Sequence, residues 1–181
     1  MDPETGLPQF HVQPGESHLL REPGILCTLL GSCVGITFWV SRLGLGALCH
    51  PMLPSLPARA SARFGSASAR RYVDFTIRDL AAQLDAMGAR RSETEVKLFG
   101  GADVLQVGPT GSRHSVGRLN CDAAVRILSS EGYEIAASSL GGESGLQIYF
   151  NTTNGEVLLR RFGKFQTGHR RSSRRYEEAN Q

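Results

Sequence analysis

Apolar residues in this chain come in short blocks cut by glycine, proline and small polar residues. Phe10 to Val12 predicts a short first strand, stopped by Pro14-Gly15. After a Pro23-Gly24 turn, Ile25 to Leu30 is a continuous apolar run of the buried-strand kind. Gly31-Ser32 breaks it, and Val34 to Val40, rich in β-branched and aromatic residues, predicts the next strand. Ser41 to Gly44 reads as a turn and Leu45 to Cys49 as the partner strand. Further strands are expected at Glu95–Phe99 and over 133–139, 146–150 and 156–162, with Asn154-Gly155 as a hairpin turn.

The period changes twice. Val73, Ile77, Leu80, Leu84 and Met87 repeat at helical spacing, with Gly88 where a C-terminal cap belongs. A second helix is expected from Asn120, as its cap, to Glu131, turning Cys121, Val125 and Leu128 inward. Between the elements, residues 54–68 are small, basic and proline-punctuated, as expected of a mobile loop, and 106–119 form a polar, glycine-rich loop. The sum is a strand-rich α/β sandwich with about two main helices. Strand–helix–strand alternations are too few for a doubly wound sheet.

Composition narrows the reading. A chain of 181 residues fits one domain, here residues 1–165. The small positive net charge collects from residue 166 onward, where Arg170, Arg171, Arg174 and Arg175 face Glu177 and Glu178. Nearly free of apolar residues, 166–181 is expected to be a disordered, solvated tail, not a nucleic-acid-binding element. No apolar run is long enough for a membrane span. The acidic, proline-broken start lacks the form of a signal peptide, so a cytoplasmic protein with reduced thiols is expected. The four cysteines show no zinc-site spacing, and no metal is expected.

The hairpin brings chemistry into the picture. If Ser41-Arg42 forms a two-residue turn, Val40 pairs with Leu43 and Cys33 lies directly opposite His50, with Cβ atoms about 4.5–5.5 Å apart. With a four-residue turn from Ser41 to Gly44 they become diagonal neighbours on the same face. Either register puts Val34, Ile36, Phe38, Val40, Leu45, Ala47 and Cys49 on a core face. The other face collects Cys33, Gly35, Thr37, Gly44, Gly46, Leu48 and His50, its glycines leaving room for something to approach. Cys49 therefore points away from His50 and packs; Cys27 and Cys121 fall within apolar patterns. A thiol beside an imidazole is a nucleophile with its base: the thiolate attacks a carbonyl and the imidazolium protonates the leaving group. The Gly31-Ser32 turn offers amide N–H groups for the oxyanion, and Pro51 ends the strand where His50 projects.

Thr28 to Val34, with Gly31-Ser32-Cys33 within it, and Gly46 to Pro54, with Cys49-His50-Pro51, resemble two signature segments of the chemoreceptor glutamine deamidase family, CheD. Lys97-Leu98-Phe99-Gly100-Gly101-Ala102 resembles a third segment, and Gly141-Gly142 with Gly145 a fourth. The resemblance implies an α/β fold similar to the catalytic domain of cytotoxic necrotising factor deamidases. It implies hydrolysis of glutamine side chains to glutamate on the cytoplasmic helices of methyl-accepting chemotaxis receptors, with ammonia released; hydrolysis of glutamate methyl esters is also ascribed to the family. Cys33 would be the nucleophile and His50 the base and acid, with no cofactor. A CheC-type phosphatase is an implied partner.

Three positions depart from the family pattern. A threonine is expected six residues before the nucleophile, to orient the histidine; Cys27 stands there and Thr28 follows, on the opposite face of an extended segment, so Thr28 is carried as a further candidate that does not simply inherit the role. Leu119 replaces the arginine of a Gly-x-Arg-Asn segment, here Gly117-Arg118-Leu119-Asn120, and Leu146 a basic residue after Gly145. The changes at Cys27 and Leu119 motivate a second reading, a non-catalytic or weakly catalytic adaptor binding chemoreceptors or the phosphatase.

Overall fold

The computed structural model describes residues 1–57, 65–103, 115–162 and 177–178. Ten strands are described: β1 (Gln9–His11), β2 (Ser17–Leu20), β3 (Ile25–Leu30), β4 (Val34–Val40), β5 (Leu45–Cys49), β6 (Glu95–Gly100), β7 (Ile135–Leu140), β8 (Gly145–Asn151), β9 (Val157–Phe162) and β10 (Glu177–Glu178). They form two five-stranded sheets, ordered β1-β3-β8-β9-β10 and β2-β5-β4-β6-β7. Helices α1 (Ser66–Ala69), α2 (Val73–Ala86) and α3 (Val116–Ser130) and two 3-10 turns, Ser41–Leu43 and Arg91–Glu93, complete the described elements.

Two cores explain which strands are buried on both sides. Val34, Ile36, Phe38, Val40, Leu45, Ala47 and Cys49 pack in one cluster with Ile77, Leu80 and Leu84 of α2 and Ala124, Ile127 and Leu128 of α3. A second cluster joins Leu26 and Leu30 of β3, Leu48 of β5, Phe99 of β6 and Ile148 and Phe150 of β8, all between the sheets. β4 and β5 therefore lie in the middle layer of a helix–sheet–sheet arrangement. Their sequences are apolar along nearly their whole length because both faces are covered.

The strand-rich α/β expectation holds. β3 and the β4–β5 hairpin fall at the expected bounds, with Ile36 opposite Cys49 and Val40 opposite Leu45. This is the four-residue-turn register, made by a 3-10 turn at Ser41–Leu43 and Gly44 at φ 60. β2 was not expected: Ser17-His18-Leu19-Leu20 is too short and mixed to show a period, and becomes a strand by pairing with β5.

The glycine face of the hairpin is corrected. It is turned to the other sheet, not to a ligand. A Cβ on Gly35 would stand 2.9 Å from Leu30 Cδ1, and one on Gly46 2.5 Å from Thr152 Cγ2. The second helix also starts earlier than expected. Ser115 is its cap, accepting from the Arg118 N–H at 3.2 Å, because its hydroxyl precedes the first turn. Asn120 is thereby placed a full turn inside α3, and Val125 is turned outward at 43% exposure.

The mobile loop expected over 54–68 falls partly outside the described residues. Within them, Leu53 pairs with Tyr72 in an isolated bridge and Ser66–Ala69 is helical. The polar loop over 106–119 likewise falls largely outside them, its last residues belonging to α3. Most of the tail from 166 also lies outside; within it, Glu177 and Glu178 pair with Leu159 and Leu158 of β9. Among the described residues no helix is long and apolar enough to cross a membrane.

The close approach at Gly46 gives a test. Gly46→Ala forces the sheets apart locally and should destabilise the fold by about 1–3 kcal/mol, the usual cost of overpacking a core. Urea unfolding measures it; a midpoint equal to that of the unaltered protein would mean that the sheets pack elsewhere.

Candidate active site

Gly31-Ser32-Cys33 carries the chain from β3 in one sheet to β4 in the other. The backbone at the end of β6 holds this turn. The Ala102 N–H donates to the Gly31 carbonyl at 2.8 Å and the Gly101 N–H to the Cys33 carbonyl at 2.7 Å. The Gly141 N–H in turn donates to the Gly100 carbonyl at 2.8 Å. Gly100 has φ 95, and a Cβ there would lie 2.4 Å from the Cys33 oxygen, so no side chain fits.

The Val34 N–H donates to the Pro51 carbonyl at 3.3 Å, extending the β4–β5 register past the last ladder pair. Cys33 and His50 therefore occupy one face as diagonal neighbours, as the hairpin pattern predicts. His50 is held at both backbone ends: its N–H donates to the Glu16 carbonyl at 2.9 Å and its carbonyl accepts from the Gly15 N–H at 2.7 Å.

Thr28, not position 27, is the threonine beside the histidine. Its Oγ1 stands 2.8 Å from His50 Nδ1 and donates to the Val12 carbonyl at 2.7 Å. In β3 the alternation turns Leu26, Thr28 and Leu30 between the sheets. Cys27 faces outward, where Gln9 Nε2 donates to its sulfur at 3.2 Å and His11 Nδ1 lies 3.5 Å away. Cys27 and Thr28 do lie on opposite faces, and it is Thr28 that meets the histidine: the turn after β3 changes sheets, so strand parity does not carry from β4 back into β3.

The hydrogen bonds fix the tautomer of His50. The single Thr28 hydroxyl proton goes to Val12, so the threonine oxygen accepts from a protonated Nδ1. Nε2 is left with its lone pair and has no hydrogen-bond partner, though buried. This is the nitrogen able to take a proton from a thiol.

Burial opposes charge on both partners. It lowers the His50 pKa from 6.5 to about 4, with the Val12 carbonyl acting the other way. It raises the Cys33 thiol above its ordinary value, against which the residue's own backbone N–H pulls down. The unliganded pair is thus a neutral thiol beside a neutral imidazole, not a preformed ion pair. Cys33 is half-buried, whereas Cys27, Cys49 and Cys121 are buried. It is the described cysteine that a substrate can reach.

Asn120 was missed as a site residue. Fully buried in α3, its Nδ2 donates to the Ser32 carbonyl and to the Met52 carbonyl, both at 2.9 Å. The signal available in the sequence was an asparagine next to Cys121 on the inward stripe, a position a cap does not occupy. Among the described residues no group of three or more His, Cys, Asp or Glu side chains is placed to hold a metal ion.

Fold and site together define an α/β two-sheet protein with a Cys–His–Thr constellation at the seam of its sheets. The chain belongs to the CheD family. The family described as CheD chemotactic sensory transduction matches residues 52–161. A relative from Geobacter sulfurreducens, named probable chemoreceptor glutamine deamidase CheD 2, is 38% identical over 87% of this chain and 92% of its own. Relatives carrying the CheD deamidase name in Maridesulfovibrio salexigens and Acidiphilium cryptum are 34% and 39% identical, over 89% and 82% of this chain and 96% and 75% of theirs.

The depressed pKa of His50 sets a stability test. The unfolded chain binds the imidazole proton near pH 6.5, the folded protein only near 4. Stability is therefore full above 6.5 and declines as the pH falls towards 4. Up to about 3 kcal/mol is lost over that window. Urea midpoints between pH 7 and pH 4 should drop more steeply for the unaltered protein than for His50→Gln.

Proposed function

We propose that this chain is a cysteine amidohydrolase that converts glutamine side chains of chemoreceptors to glutamate, with Cys33 as nucleophile and His50 as base and acid. The observation that carries the reading is the Val12–Thr28–His50 chain, which leaves Nε2 unprotonated on the face shared with Cys33. The names borne by the family relatives supply the substrate.

His50 Nε2 takes the thiol proton while the Cys33 sulfur bonds to the glutamine carboxamide carbon, placing charge on the oxygen. The imidazolium gives that proton to the amide nitrogen, the C–N bond breaks and ammonia leaves a thioester. Water, deprotonated by His50, attacks the thioester, the C–S bond breaks and the thiolate recovers the proton. A glutamate methyl ester enters the same scheme with methanol as leaving group. The Gly31-Ser32-Cys33 turn supplies the amide dipoles nearest the developing oxyanion.

A chemoreceptor's cytoplasmic helices are the macromolecular substrate in this reading, placing the protein in the cytoplasm, and a CheC-type phosphatase is a further partner carried by the resemblance. The adaptor reading loses one of its motives, because Thr28 stands where the histidine needs a partner despite Cys27.

Incubation with a receptor fragment, followed by intact-mass analysis, should show the fragment heavier by one mass unit per converted glutamine. Cys33→Ala should abolish the change while remaining folded; conversion by that variant would sink the assignment. Thr28→Val should lower the rate about 100-fold or more, as expected when a general base loses its set orientation. In the unaltered protein kcat/KM should hold its value below pH 6.5 and fall only near pH 4, where His50 protonates. An acid limb at 6.5 would mean that the working histidine is not the buried one.

A further inference from the structure

From the Asn120 contacts we infer that Asn120 is a positioning residue that aims the Cys33 backbone N–H at the oxyanion and sets the spacing between Cys33 and His50. The inference rests on the cysteine-hydrolase reading above and adds a component of the same site.

The carboxamide lies between two backbone carbonyls, those of Ser32 and Met52, each 2.9 Å from Nδ2. Two acceptors can be met only by the NH2 end, so the amide has one orientation and both of its protons are used. Its Oδ1 is left buried without a partner. A leucine would fill the same volume with no polar atom to bury, so packing alone gives no reason for an asparagine here.

The two carbonyls are in informative places. Ser32 precedes the nucleophile, and Met52 follows His50-Pro51. One side chain on α3 thus ties the turn that carries the thiol to the segment that carries the base. The Ser32–Cys33 peptide is trans and planar, so its C=O and N–H point in opposite directions. Pinning the Ser32 oxygen towards α3 turns the Cys33 N–H away from the helix. That N–H belongs to the residue that carries the sulfur, so a tetrahedral intermediate bonded to Cys33 places its oxygen within its reach. The Gly31 carbonyl is held separately by Ala102, so the rest of the turn does not need Asn120.

The test uses Asn120→Leu, the receptor fragment and a peptide whose target glutamine is replaced by glutamate semialdehyde. The Cys33 thiol adds across the aldehyde, forming a C–S bond and passing its proton to the oxygen, which then sits at the oxyanion position. In the unaltered protein the Cys33 amide proton should move downfield on adduct formation in NMR spectra. In a folded Asn120→Leu, kcat should fall roughly 100- to 1,000-fold with KM little changed, the loss expected for one oxyanion donor. A folded variant with undiminished kcat overturns the inference, as does a Cys33 amide signal that does not move in the unaltered protein. The second readout needs no variant and stands even if Asn120→Leu fails to fold. If Cys33→Ala still converts glutamine, the hydrolase reading fails; if it is inactive while Asn120→Leu keeps full kcat, only the role of Asn120 fails.

Discussion

The passage of the chain from one sheet to the other within Gly31-Ser32-Cys33 is the constraint on which the site depends. β3 belongs to the sheet that supplies Thr28, and β4 pairs with the strand that leads into His50. A cysteine on that crossing is reached from both sheets at once. The hydrogen bond from His50 to Thr28 then closes the seam, because its donor and acceptor come from different sheets. A shift of either sheet by one residue would turn one of the two side chains to the wrong face.

Placing the histidine in that seam costs it its charge. A ring buried to 1% exposure resists protonation, and the pKa near 4 expresses this. Burial pushes the thiol pKa up, so passing its proton to His50 before any bond forms is uphill. Proton transfer is therefore best coupled to attack on the carbonyl, where backbone dipoles offset the charge as it appears. The same neutrality keeps the thiol from reacting indiscriminately, since the thiolate is the reactive form.

Legibility of the sequence followed the range of the interactions. The β4–β5 hairpin was readable because its register is set by a local turn and a two-residue period, and that register alone put Cys33 and His50 on one face. Thr28 was a candidate through the resemblance alone, and its contact with His50 was not readable. Its role depends on β3 pairing with β8, more than a hundred residues away, and on a turn that resets strand parity. Asn120 was misread as a cap since an asparagine beside a glycine-rich stretch carries that local signal, whereas Ser115 already meets the helix N-terminus. The glycine face went wrong for a related reason: a sequence shows that Gly35 and Gly46 leave space, but not that Leu30 and Thr152 fill it.

The departures from the family pattern can now be weighed by where they lie. Leu146 is buried between the sheets opposite Leu30 and packs with Phe99 and Ile148. A basic residue there would need its charged end carried out of that core, so leucine at this position belongs with the packing of the seam. Leu119 is exposed at 39% on α3, while Asn120 beside it is fully buried against the Gly31-Ser32-Cys33 turn. Adjacent positions on a helix point about 100° apart, so a change at 119 leaves the contacts of 120 untouched. The turn itself is held by the backbones of Gly100, Gly101 and Ala102, and Gly141 in turn bonds Gly100. Both substitutions thus fall outside the contacts that hold the segments bearing Cys33 and His50, and what Leu119 alters is the outer surface of α3.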